Sequence, residues 1–158
     1  MKVVTGNIVE LAKTGQYDVI LHGCNCFHTM RAGVARALAD EFPEVLESDR
    51  LQSDYGDQRK LGYFSLAEIV RADYRIWVAN LYTQFGFNRH QPQIIPQALV
   101  NALIRIRGVF GQSRILYPKI GAGLAGGNWA GLENIFNSVL YGCDHTLCVL
   151  DTDTAKVV

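Results

Sequence analysis

A chain of 158 residues that is 49% hydrophobic and 19% charged is long enough to bury one core and too short to divide comfortably between two. Fifteen lysines and arginines balance fifteen aspartates and glutamates, so no overall field gathers a polyanion, and duplex nucleic acid is excluded as the expected primary ligand. No apolar run reaches the ~18 residues of a membrane-spanning helix, which sets a membrane partner aside.

Residues 2–4 form a short β-type run closed by Thr5, Gly6 and Asn7, and residues 8–12 read as a brief helix ended near Gly15. Residues 18–22, DVILH, are a buried strand by their apolar run. After a loop, Val34, Ala35, Leu38 and Phe42 recur at helical spacing, and Pro43 stops or restarts that helix ahead of a charged piece over 44–52. Gly56-Asp57 marks a turn, and 61–70 and 75–81 read as two strands joined around Ala72-Asp73. Residues 95–109 set Leu99, Ala102, Leu103, Ile106 and Val109 on one helical face. A strand over 114–117, a glycine-rich loop, a helix over 128–141 and a strand over 146–150 complete the chain. Such alternation predicts an α/β fold of three layers, a mixed and mostly parallel sheet between helices. Residues 1–151 are expected to form a single domain and 152–158 a tail.

Cys24, Cys26, Cys143 and Cys148 lack zinc-knuckle spacing, and His22, His28, His90 and His145 are scattered, so no metal site is expected. With no signal peptide, the cysteines read as reduced thiols of a cytoplasmic protein. Two loops, 23–33 and 121–127, each follow a strand and precede a helix. Both offer free N–H groups at a helix start, with glycines that let the backbone come close, which suits a diphosphate held between them. The second loop contains GAGLAG and fits G-x-G-x-x-G. That dinucleotide fingerprint should open the first βαβ unit, whereas only 31 residues follow Gly127.

VTGNI, VILHGCNCFHTMRAGVARAL and YPKIGAGLAGGNW together resemble a macrodomain, the ADP-ribose-binding family. More narrowly, they are similar to the branch holding ADP-ribose 1''-phosphate phosphatases and terminal ADP-ribose glycohydrolases, with relatives in bacteria and bacteriophages. The resemblance implies ADP-ribose or a related small nucleotide as ligand, no cofactor and a monomer. It places Gly6, Asn7 and Ile8 at the adenine, with Asn7 standing where an aspartate is usual and lacking its charge assistance. It places Asn25 at the distal ribose, and Ala32, Gly33 and Val34 at the diphosphate. Ile120, Gly121, Ala122, Gly123, Leu124, Ala125 and Gly126 would close over the diphosphate from the other side. Tyr82, Gln84 and Phe85 follow a strand end on the ligand side and are candidate pocket residues.

The resemblance makes His22, Asn25 and Asn128 the catalytic candidates, with His22 activating water or protonating a leaving oxygen. A histidine satisfied in the core is the alternative for His22, and a helix N-cap the alternative for Asn128. Asn128 stands where relatives often carry aspartate, and an amide is no general base. Gln84 stands where the glycohydrolases have a lysine nucleophile, and Lys119 reads as a solvated side chain rather than its replacement. Arg31 replaces a usual glycine and either pairs with a phosphate or narrows the pocket. Three functions follow: as the leading one, ADP-ribose binding with hydrolysis of ADP-ribose 1''-phosphate to ADP-ribose and phosphate; as the alternative, non-catalytic reading or sequestering of ADP-ribose; and, disfavoured by Gln84, removal of ADP-ribose from a macromolecule.

Overall fold

The computed structural model describes residues 1–88, 90–123 and 125–150; the expected tail, 152–158, lies outside them. The elements in order are β1 (Lys2–Thr5), α1 (Ile8–Ala12), β2 (Val19–Cys24), α2 (Gly33–Glu41), α3 (Pro43–Gln52), β3 (Phe64–Val70), β4 (Arg75–Tyr82), α4 (Pro96–Phe110), β5 (Arg114–Tyr117), α5 (Trp129–Val139) and β6 (Asp144–Val149). The six strands make one sheet in the order β1-β6-β5-β2-β4-β3. Every pairing is parallel except that of β3 with β4, the hairpin expected around Ala72-Asp73. Pro43 restarts the chain as the first residue of α3, where its missing N–H costs nothing.

Helices cover both faces because alternate strand residues point to opposite sides. Ile20, Cys24, Val78 and Tyr82 pack with Val9, Leu38 and Val45 of α1, α2 and α3 and with Phe42 between α2 and α3. Val19, Leu21, Ala79, Leu81, Ile115 and Tyr117 pack with Leu99, Leu103 and Ile106 of α4 and with Leu132 and Phe136 of α5. The ladder also runs past the apolar stretch that ends at His22, since Gly23 pairs with Leu81 and Cys24 with Tyr82, and β2 ends two residues later than its hydrophobicity predicts.

The connection after β2 leads toward β3 and β4 on one side, while that after β5 leads through α5 to β6 on the other. β2 and β5 are neighbours, so their carboxyl ends flank the point where the winding reverses. Open α/β sheets place their ligand crevice at such a point.

Candidate functional site

A cleft of about 470 Å³ opens at that point. β2 supplies His22, Gly23 and Cys24, the following loop Asn25, Thr29 and Arg31, and the start of α2 Ala32, Gly33, Val34 and Ala35. Gln84 and Phe87 come from the segment after β4, and Pro118, Lys119, Ile120, Gly121, Gly123 and Ala125 from the glycine loop after β5.

The loop after β2 is held by its own polar groups. Asn25 Oδ1 accepts the Phe27 N–H at 2.8 Å and its Nδ2 donates to the Thr29 carbonyl at 3.0 Å, a side-chain turn that short amides favour. His28 adopts φ 50° and is anchored by Nε2 donating to the Ser53 carbonyl at 3.0 Å. α2 then begins at Gly33, with Ala32 at its N-cap providing no side-chain hydrogen bond. First-turn N–H groups have no partner within a helix, and here their residues line the cleft.

The opposite wall is a chain of tight turns. Ile120 N–H reaches the Pro118 carbonyl at 2.7 Å, Gly127 N–H the Gly121 carbonyl at 2.6 Å, and Gln93 N–H the Ala125 carbonyl at 2.7 Å. Gly121 has φ 82°, and a Cβ there would lie 2.7 Å from Ile94 Cγ1, so a side chain is excluded by both torsion and contact.

His22 is 1% exposed. Asn80 Nδ2 donates to the Val45 carbonyl at 3.1 Å, and a carbonyl only accepts, so the amide oxygen faces His22 and takes its Nε2–H at 2.5 Å. His22 Nδ1 then keeps the lone pair, with Cys24 Sγ at 3.7 Å. Burial pulls the His22 pKa down to about 4, against the opposing effects of Asn80 and Asp49, so the ring is neutral at pH 7. Burial also pushes the Cys24 thiol well up, which leaves it without thiolate character. The polar network continues from Asn80 through Ser65 to the Tyr82 hydroxyl, which donates to Asp49 Oδ1 at 2.6 Å.

The electrostatics of the cleft are one-signed. Its walls carry Arg31 and Lys119 and no aspartate or glutamate. Among the described lysines and arginines, only Arg31, Arg50 and Lys119 lack a salt bridge, a side-chain hydrogen bond and a cation-π contact. Two of those three free cations thus face one crevice.

Of the residues expected at the ligand, the structure gathers His22, Asn25, Arg31, Ala32, Gly33, Val34, Gln84, Ile120, Gly121, Gly123 and Ala125 around the cleft. Others lie off its walls. Asn7 caps α1, its Oδ1 accepting from Val9 N–H at 2.9 Å and Glu10 N–H at 3.4 Å, with Gly6 after the end of β1 and Ile8 opening α1. Tyr82 is 1% exposed, with its hydroxyl in the buried network rather than the cleft, and Phe85 packs edge-on against Phe27 at 4.9 Å. Ala122 packs against the core on the α4 and α5 side, and Gly126 lies against Pro92. Asn128 is an exposed N-cap whose Oδ1 accepts the Ala130 N–H at 3.0 Å. Leu124 lies outside the described residues. Gly23, Cys24, Thr29, Ala35, Pro118 and Lys119 join the walls without having been singled out as ligand contacts; the strand-end position of Gly23 and Cys24 was the signal available for them.

No protein-family model matches the sequence. A protein of Enterobacteria phage T4, described as an uncharacterized 17.5 kDa protein in the tk-vs intergenic region, is 39% identical over 143 residues, covering 87% of this chain and 88% of that one. The macrodomain of Mycobacterium tuberculosis DarG superposes with a TM-score of 0.71 at 18% identity, over 93% of this chain and 95% of that one. Thermosipho africanus DarTG in complex with ADP-ribose superposes with a TM-score of 0.73 at 14% identity, over 96% of this chain and 41% of that one. At these identities the structural likeness is one of fold.

Proposed function

The chain has the macrodomain fold, and from that premise we propose that its cleft binds ADP-ribose or a closely related nucleotide and holds it without turnover. The observation that carries this reading is the pair of unpartnered cations, Arg31 and Lys119, in a cleft free of carboxylates. With the uncapped start of α2 on one wall and the glycine loop on the other, that charge suits a diphosphate. The ADP-ribose complex of a protein sharing the fold supports the choice of nucleotide.

Hydrolysis of ADP-ribose 1''-phosphate is the second reading, favoured by His22 and Asn25 both lining the cleft. A neutral His22 with its lone pair on Nδ1 suits a base and not an acid at pH 7. Gln84 offers no amine, its Nε2 amide nitrogen being spent on the Gly86 carbonyl at 2.6 Å, so a Schiff-base route to glycohydrolysis has no nucleophile at this position. Calorimetry with ADP-ribose, paired with phosphate release from ADP-ribose 1''-phosphate, separates these readings. Saturable binding without phosphate release is expected. Phosphate release by the wild type that His22→Ala abolishes would establish hydrolysis, and absence of binding would remove both readings.

A further inference from the structure

Thr83 follows the last residue of β4, and both of its backbone groups are used. Its N–H donates to the Cys24 carbonyl at 3.3 Å and its carbonyl accepts the Ile95 N–H at 2.8 Å. The side chain is 1% exposed. Among the described residues, Thr83 Oγ1 is the one buried side-chain nitrogen or oxygen with no hydrogen-bond partner. Buried hydroxyls are normally satisfied, because an unmade bond leaves the cost of desolvation uncompensated. Valine would fill the same volume without that cost, so packing alone does not account for a hydroxyl at this position.

A second, independent observation places this hydroxyl beside the cleft. A Cβ built on Gly23 would stand 3.0 Å from Thr83 Oγ1 and 3.0 Å from Ile120 Cγ2. Gly23 is not among the residues of positive φ, so its backbone does not demand glycine. What the missing side chain does is leave room beside Gly23 for Thr83 Oγ1 and Ile120 Cγ2. Gly23 and Ile120 both line the cleft, so the unpaired hydroxyl lies directly behind two residues of its wall.

We propose that Thr83 Oγ1 is a ligand contact at the floor of the cleft, hydrogen-bonding an oxygen of the bound nucleotide. This rests on the nucleotide-binding reading above and adds to it a residue that specifies the ligand. A threonine hydroxyl both donates and accepts, so it can donate to a phosphate oxygen or accept from a ribose hydroxyl.

The test titrates wild type, Thr83→Val and Thr83→Ser with ADP-ribose and with ADP, alongside thermal melts of each protein. Thr83→Val should weaken ADP-ribose binding about tenfold, the usual effect of losing one hydrogen bond to a charged or well-placed group, while melting no lower than wild type. Thr83→Ser, which keeps the hydroxyl, should bind within about twofold of wild type, on the same reasoning. A parallel loss for ADP assigns the contact to phosphate, and a loss confined to ADP-ribose assigns it to the distal ribose. Equal affinities of Thr83→Val and wild type for both probes would overturn the Thr83 contact and leave nucleotide binding standing. Failure of the wild type to bind either probe would overturn the nucleotide reading, and the Thr83 contact with it.

Discussion

Arg31 and Lys119 are the side chains on which recognition of a diphosphate would most depend. An arginine can pair bidentately with phosphate, whereas lysine acts as a compact charge. Arg31→Ala is therefore expected to weaken ADP-ribose binding about tenfold, and Lys119→Ala by a few-fold, with both losses shrinking at high salt. Calorimetry at two ionic strengths measures this, and tighter binding by Arg31→Gly would show instead that the side chain obstructs the cleft. His22 makes a different prediction, because burial holds its pKa near 4 against about 6.5 in an unfolded chain. Between those values the unfolded chain binds the extra proton, so stability rises with pH across this window and is lost as pH falls from about 6.5 toward 4. The contribution is roughly 3 kcal/mol at full span. Urea unfolding at pH 7 and pH 4.5 should show a smaller difference for His22→Gln than for wild type. An unchanged difference would mean that His22 is not the group responsible.

The glycine loop and α5 behave as elements whose glycines are not equivalent. Gly121 combines φ 82° with Ile94 Cγ1 at 2.7 Å from its missing Cβ, whereas nothing lies within 4 Å of a Cβ on Gly123. Gly121→Ala should lower stability by about 2 kcal/mol or more, from torsional strain and overpacking, and Gly123→Ala should stay within about 0.5 kcal/mol of wild type. Chemical denaturation of both variants checks the contrast. At the other end of the loop, Asn128→Ala should cost about 1 kcal/mol through loss of the α5 cap, and Asn128→Asp should retain stability. Should Asn128→Asp also gain phosphate release, the side chain reaches the reacting group and the cap is only part of its role. The elements themselves were largely legible, since the 3.6-residue spacing of Leu99, Leu103 and Ile106 and the alternation of the β3–β4 hairpin are direct consequences of burying one face. The end of β2 was not, because Gly23 and Cys24 are held by pairing to β4 rather than by apolar patterning.

Over the whole molecule, the sheet order β1-β6-β5-β2-β4-β3 brings together two loops nearly a hundred residues apart in sequence, and the cleft exists because the winding reverses between β2 and β5. The strand–loop–helix pattern and the glycines indicated both walls in advance. They did not indicate the face to which Tyr82 points, because side chains alternate along a strand and only the position of α3 decides that Tyr82 and His22 share the buried polar layer. Nor did they reveal Thr83, whose significance lies in an unmade hydrogen bond, or the freedom of Lys119, which depends on where every carboxylate in the fold has gone. The most direct measurement is a titration of the isotopically labelled protein with ADP-ribose, followed residue by residue through backbone amide NMR signals. Saturable shifts concentrated at Gly33, Val34 and Ala35 and at Ile120, Gly121 and Gly123 are the predicted result. No saturable change, or changes confined to a surface away from these two walls, would contradict nucleotide binding in the cleft.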